Sequence, residues 1–320
     1  MKGIRVIFDG ANTSYRANCV VELSTKQGFR TSAIIGTLNI IHSTLETVGK
    51  MYDAPIKEII FVWDKGRSTR RLEVYPDYKG TRSRKEFTPE DKQWMEEFFQ
   101  QTDILHENLH LFGVKSYRKD HWEGDDLVLG VTSRLSRRYP DDVSVVVSTD
   151  EDFHQLISST VHIFSPIKKI LYNPDNYKEL TGIAPELFLT YKILKGDSSD
   201  NIPGIYGIGE KTAKSLVNTY GDMESLLGHR DELIKSKRFA KIFTAEGLSI
   251  LDRNNKLINL KDYVDLTPVI QEIDEVLDEE PVVNHHVVRG FLIKYQLVSI
   301  LVKFNKWIEL FDEVANNFYE

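Results

Sequence analysis

Nine acidic residues carry most of the chemistry that this sequence could perform. HWEGDDLV (121–128) crowds Glu123, Asp125 and Asp126 into four positions, STDED brings Asp150 and Asp152, and KGDSSDN brings Asp197 and Asp200. Asp9 and Asp64 each follow an apolar run. Carboxylates clustered without histidine or cysteine suit hard divalent cations, Mg²⁺ or Mn²⁺. Leaving these nine acids out changes the formal charge from −7 to +2. If they fold together, the rest of the chain is slightly basic and a bound cation relieves their repulsion. A plainer reading competes for Asp125 and Asp126, which the dipole of a helix would favour in its first turn. It explains less well why Glu123 joins them.

The elements that must position these acids can be read from the apolar pattern. IRVIF (4–8) ends in Asp9, EIIFVW (58–63) in Asp64 and VSVVV (143–147) in STDED. Helical periodicity runs through 31–52 and 125–139. Strand, helix, strand at this spacing predicts an α/β fold, a mainly parallel central sheet flanked by helices. Ligands in such sheets sit beyond the carboxyl ends of the strands, where three strand-end acids would meet. One acid after a strand is ordinary turn or cap chemistry. Three make a stronger signal.

Two other segments point to a polyanion. Between Lys65 and Lys85 eight basic residues meet two acids, a local charge of +6, with Tyr75 and Tyr78 interleaved. A charge run is usually a solvated face, but this mixture also stacks bases and grips phosphates. NIPGIYGIGEKTA (201–213) sets Gly204, Gly207 and Gly209 in a turn before a helix that starts near Lys211. Its extended pattern reads as a helix–hairpin–helix, in which glycines let backbone N–H groups approach a phosphate. A tight helix–helix turn would use glycine as well.

Composition sets the outer bounds. Hydrophobic content of 41% and charged content of 28% are ordinary for a soluble protein. The start reads as a strand rather than a signal peptide, and no run reaches the ~18 apolar residues of a membrane span. The single Cys19 excludes a disulfide framework and a multi-cysteine zinc site. These features predict a reduced, cytoplasmic protein.

With the motifs IFDGAN, VWDKGRSTRR, YPDYKGTR, EGDD, STDEDF, LKGDSSDNIPGIYGIGEKTA and LDRNNKLINL in order, the chain resembles the 5′-nuclease family over about residues 4–260. That family comprises flap endonucleases, phage 5′→3′ exonucleases and the N-terminal nuclease of bacterial DNA polymerase I. The resemblance implies an α/β nuclease core over 1–184 with a helical arch at about 76–115. A helical region over 185–320 would follow, with the helix–hairpin–helix at about 186–220. It implies two-metal hydrolysis of DNA flaps, nicks and ends, extending to RNA primers, with 5′-phosphate and 3′-hydroxyl products. Asp64, Glu123, Asp125 and Asp126 would hold one ion; Asp150, Asp152, Asp197 and Asp200 would lie at or around a second; Asp9 would act through water. Lys79 and Arg82 would offset charge on the phosphate, with Lys192 a weaker candidate in that region. Tyr78 would stack on a base or pack the arch. Gly207, Gly209 and Lys211 would hold duplex, with a K⁺ as relatives have. Gly124 departs from the alanine that relatives often carry. The absence of a polymerase segment resembles free-standing, phage-encoded enzymes, and a monomer is expected.

Two other classes remain at this level. A pure DNA-binding protein leaves the acids unexplained, and a Mg²⁺-dependent small-molecule phosphatase leaves the hairpin and basic stretch unexplained. The stripe Trp307, Leu310, Phe311, Val314 and Phe318 lies on one helical face. It would pack on its own domain or dock a replication partner.

Overall fold

The computed structural model describes residues 3–20, 22–80 and 87–319. Strand β1 (Ile4–Asp9) leads into helix α1 (Gly10–Val20), and α2 (Ser32–Tyr52) crosses back to β2 (Ile56–Trp63). A short α3 (Thr69–Val74) and a long α4 (Pro89–Asn108) precede β3 (Lys115–Arg118). Then come α5 (Gly124–Arg138), β4 (Val143–Val147), β5 (Val161–Ser165) and β6 (Ile170–Tyr172). The sheet order is β3-β2-β1-β4-β5-β6, parallel throughout except for β6. The three acid-bearing strands are therefore adjacent, with β1 between β2 and β4. Phe8 stands level with Phe61 and Val147, so all three deliver their following residues to the same edge.

Alternation along these strands divides the core in two. Val6, Phe8, Phe61, Trp63, Val145 and Val147 face one side, packed under Ile34, Leu38 and Ile41 of α2. Ile7, Ile60, Val62 and Val146 face the other, under Leu127, Val128 and Val131 of α5. That second core runs on without a break into the helices after residue 185, through Tyr191, Leu216 and Ile242. The last helices behave differently. Trp307, Phe311 and Val314 return to the first core, beside β2 and α2. The helices after residue 185 thus pack on both cores, and most of the C-terminal apolar stripe is occupied by the protein itself.

The segment expected as an arch is only partly a separate feature. Helix α4 opens with a capping box between Thr88 and Asp91, with Pro89 in its first turn. Trp94 and Phe98 at helical spacing then pack on Tyr15 of α1, and Gln101 accepts the Ala33 N–H at 2.8 Å. These contacts tie α4 to α1 and α2. Arg82, with Arg84 and Lys85, lies outside the described residues. Among the described residues, no helix is long and apolar enough to cross a membrane.

Candidate active site

A cavity of about 910 Å³ opens where β1, β2 and β4 end. Asp9, Asp64, Glu123, Asp125, Asp150, Asp152 and Asp200 line it, with Lys79 beside them. Seven of the nine acids thus meet in one space. Asp126 and Asp197 stand behind it.

Local structure fixes each carboxylate. Asp9 accepts the Asn12 N–H at 3.0 Å and the Ser148 hydroxyl at 2.9 Å, which ties the ends of β1 and β4 together. Asp64 accepts the N–H of Gly124, the first residue of α5, at 3.0 Å. A Cβ on Gly124 would lie 3.0 Å from Asp64 Oδ2, so glycine leaves room for that close approach. Glu123 is the N-cap residue of α5, but its side chain does not cap the helix. Its Oε2 instead accepts from Arg71 Nη1 (3.0 Å), the Tyr78 hydroxyl (2.8 Å) and Lys79 Nζ (2.8 Å).

Arg71 is the centre of this arrangement. Its guanidinium is 1% exposed and bonds both oxygens of Asp126 (2.8 and 3.0 Å), Asp125 (2.7 Å) and Glu123. The fork geometry of arginine suits several carboxylates at once. The carbonyl of Leu257 accepts its Nε at 3.2 Å, and that of Lys256 accepts Arg70 at 2.6 Å, so the helix Ala245–Ile258 braces the pair. Lys192, also buried, plays the same part on the far side. Its ammonium pairs with Asp152 at 2.6 Å and closely with Asp197.

These fixed cations do not neutralise the cavity. Burial, then the charge of Asp64, pushes Asp9 up to about 7. Burial and Asp152 push Asp150 up to about 8, and burial also raises Asp64. Asp126 rises to about 7, from burial and Asp125, in spite of Arg71. Glu123 moves the other way: burial opposes its charge, but Arg71 and Lys79 outweigh it. Burial likewise opposes the charge of Asp197, yet Lys192 brings it down to about 2. Carboxyls that retain protons near neutrality mark a site short of positive charge. The donors are all oxygen, which fits hard divalent ions. As they stand, no three acids among the described residues close into a cage around one point. Several face Arg71, Lys79 or Lys192 instead.

The 5′–3′ exonuclease N-terminal resolvase-like domain matches residues 5–182. The chain belongs to the 5′–3′ exonuclease family. The family's C-terminal SAM fold matches residues 183–278, so residues 279–320 lie outside both models. The DNA polymerase I of Geobacillus stearothermophilus is 31% identical over 288 residues, 88% of this chain and 29% of that one. The chain spans less than a third of the length of the polymerase relatives it matches. A 5′–3′ exonuclease of Aquifex aeolicus is 28% identical over 84% of each chain. A solved structure of the T5 5′-exonuclease with divalent zinc ions aligns with a TM-score of 0.70 and 26% identity, covering 86% of this chain and 98% of that one.

Several residues expected at the site of this 5′–3′ exonuclease family member sit otherwise than the sequence suggests. Tyr78 is 2% exposed and donates to Glu123, with Asp200 at 3.2 Å; it is not available to stack on a base. Lys192 is spent on two aspartates and does not face the cavity. Lys79 remains at the cavity wall, with left-handed backbone (φ 53°) and its N–H donating to the Asp200 carbonyl at 2.9 Å. In the hairpin, Gly204 serves the fold rather than a ligand: a Cβ there would lie 2.1 Å from the Lys195 carbonyl oxygen. Gly207 (φ 84°), Gly209 and Lys211 are exposed at the start of the helix Glu210–Tyr220.

Sequence reasoning missed Arg71, Ser148 and Asn12 as organisers. Arg71 was one of eight cations in the basic stretch, and nothing in its own spacing marks it as inward-facing. Asn12 and Ser148 carry a weak signal, since each lies within three residues of a strand-end acid.

Proposed function

We propose that this chain is a structure-selective 5′ nuclease, a flap endonuclease and 5′→3′ exonuclease that hydrolyses DNA to 5′-phosphate and 3′-hydroxyl products. The observation that carries the reading is the convergence of seven carboxylates and Lys79 in one cavity at the sheet edge. A DNA-binding protein without catalysis has no use for that cavity, whose charge repels phosphate. Family membership and the hairpin both favour a nucleic-acid substrate over a small phosphate ester.

Asp64, Glu123 and Asp125 on one side, and Asp150, Asp152 and Asp200 on the other, would hold Mg²⁺ or Mn²⁺. Asp9 would act through water, and Asp126 and Asp197 would support from behind. Bound divalent ions would generate hydroxide from water near neutral pH and neutralise charge at the scissile phosphate. Arg71 holds Asp125 and Glu123 in place, which limits reorganisation when substrate arrives. Lys79 would meet the non-bridging oxygens as their charge grows, with Arg82 in the same role. The exposed turn at Gly207 and Gly209, with Lys211 at the start of the helix, would hold downstream duplex by its backbone, with K⁺ at the hairpin. RNA primers, a cytoplasmic setting, a monomeric state and a replication partner belong to the same proposal.

The test is cleavage of an end-labelled 5′-flap duplex with Mg²⁺ or Mn²⁺ and with EDTA. Cutting should require the ion, and Asp126→Asn should abolish it while DNA binding persists. Absence of cutting with either ion, together with turnover of p-nitrophenyl phosphate, would replace this reading with the phosphatase.

A further inference from the structure

A second concavity, of about 480 Å³, lies between the helices Phe188–Lys195, Met223–Gly228 and Ala245–Ile258. It shares no lining residue with the carboxylate cavity. Its floor is apolar: Leu189, Ile193, Met223, Leu227, Leu248 and Leu251. Single exposed leucines are ordinary on a protein surface. Here six apolar side chains converge, and Leu248 is 44% exposed within them.

The rim has one sign. Glu186, Asp222, Glu224, Asp252 and Asp262 surround the floor, and among the described residues no lysine or arginine lines it. Three of these acids have local work. Asp222 caps the helix Met223–Gly228, Asp262 accepts from Asn259, and Asp252 pairs with Lys256 at 2.7 Å. The Glu186 and Glu224 side chains are exposed and make no hydrogen bond or ion pair to any described residue. Five carboxylates exclude a phosphate backbone by charge. Among the described residues they form no group of three that could hold a metal ion.

We propose that this groove docks a basic amphipathic segment of another protein. Its apolar side chains would fill the floor as one face of a helix, and its lysines or arginines would meet the rim. Methionine at Met223 suits such a surface, because its flexible side chain adapts to the residue it meets. This inference goes beyond the nuclease reading and does not depend on it.

The experiment uses the full chain and a fluorescein-labelled peptide of leucine and lysine at helical spacing, followed by anisotropy. A peptide with glutamate in place of lysine is the control. The Leu/Lys peptide should bind and the Leu/Glu peptide should not. The double substitution Glu186→Lys, Glu224→Lys should weaken binding about tenfold, and Leu248→Glu should weaken it at least as much. An unchanged melting temperature and unchanged flap cleavage would show that these variants remain folded. Equal binding by wild type and variants would overturn the proposal, since the peptide would then be held elsewhere on an acidic protein. So would no binding, or a wild-type dimer that Leu248→Glu dissociates, because the groove would then belong to a second copy of this chain. Failure here with flap cutting intact leaves the nuclease reading standing.

Discussion

Burial and the neighbouring Asp152 carboxylate push Asp150 up to about 8, from 3.8 for the free side chain. Near pH 7 the folded, metal-free protein therefore keeps a proton that the unfolded chain releases. A raised carboxyl makes the folded state the stronger proton binder between about pH 4 and pH 8, so stability falls as pH rises through that window. At about 1.36 kcal/mol per unit, the interval from 3.8 to 7 has a ceiling of about 4 kcal/mol. The cavity is open to water, which raises the effective dielectric, so about 2 kcal/mol is the working figure. Asparagine removes the titration and keeps Oδ1 as acceptor for the Asp152 N–H, now at 2.9 Å.

Asp150→Asn should therefore stabilise the metal-free protein while abolishing its cleavage activity. The assay is thermal melting in EDTA at pH 5 and pH 8. At pH 8 the variant should melt about 3–6 °C above wild type. At pH 5, where the folded wild type pays little for its proton, the gain should shrink to about a third. Added Mg²⁺ should raise the wild-type melting temperature more than the variant's, through ligand linkage. The reasoning is refuted by a variant that melts at or below wild type in EDTA at pH 8. A gain of equal size at pH 5 refutes it as well.

Arg71→Met should lose about 3–5 kcal/mol in urea denaturation, because Glu123, Asp125 and Asp126 lose their shared buried partner. Arg71→Lys should recover only part of this, since an ammonium lacks the fork. Lys79→Ala should lower single-turnover cleavage about 10²-fold or more, while affinity for flap DNA in Ca²⁺ changes much less; an equal loss in both would make Lys79 a binding residue only. Trp307→Ala should cost about 3–5 kcal/mol, because that fully buried ring packs on Phe112 and Phe311. Wild-type stability in this variant would mean that the last helices are dispensable to the core.

The sheet was legible because its central strands are short, apolar and β-branched, and VSVVV occupies β4 without adjustment. Helices α2 and α5 fall within a residue of their apolar periodicity. Strands β3, β5 and β6 were not legible: KSYR, VHIFS and ILY are too short or too mixed to stand out from their flanks. The convergence of acids followed from strand ends, since parallel neighbours deliver their next residues to one edge. The direction of the cations did not. A basic run such as 65–85 looks alike whether its members face solvent or the interior, and only the closing of α3 on α5 turns Arg71 inward. Tyr78 illustrates the same limit. Interleaving with lysine and arginine suggested a stacking surface, but its hydroxyl finds Glu123 and the ring goes with it.

Charge at the site favours the proposal of two ions over one. Among the described residues, the nine carboxylates stand against four cations: Arg70 (3.7 Å from Asp126), Arg71, Lys79 and Lys192. The deficit raises Asp126 in spite of Arg71, and it is also expressed where no cation is paired. Asp9 and Asp150 retain protons, whereas Glu123 and Asp197, each held by a lysine, do not. One divalent ion would leave roughly three of the five remaining charges unbalanced in a buried setting, which like-charge repulsion disfavours. Two would nearly balance them. The protons on Asp9 and Asp150 then occupy the places that metal charge would take, which is why substitution of either should trade activity for metal-free stability.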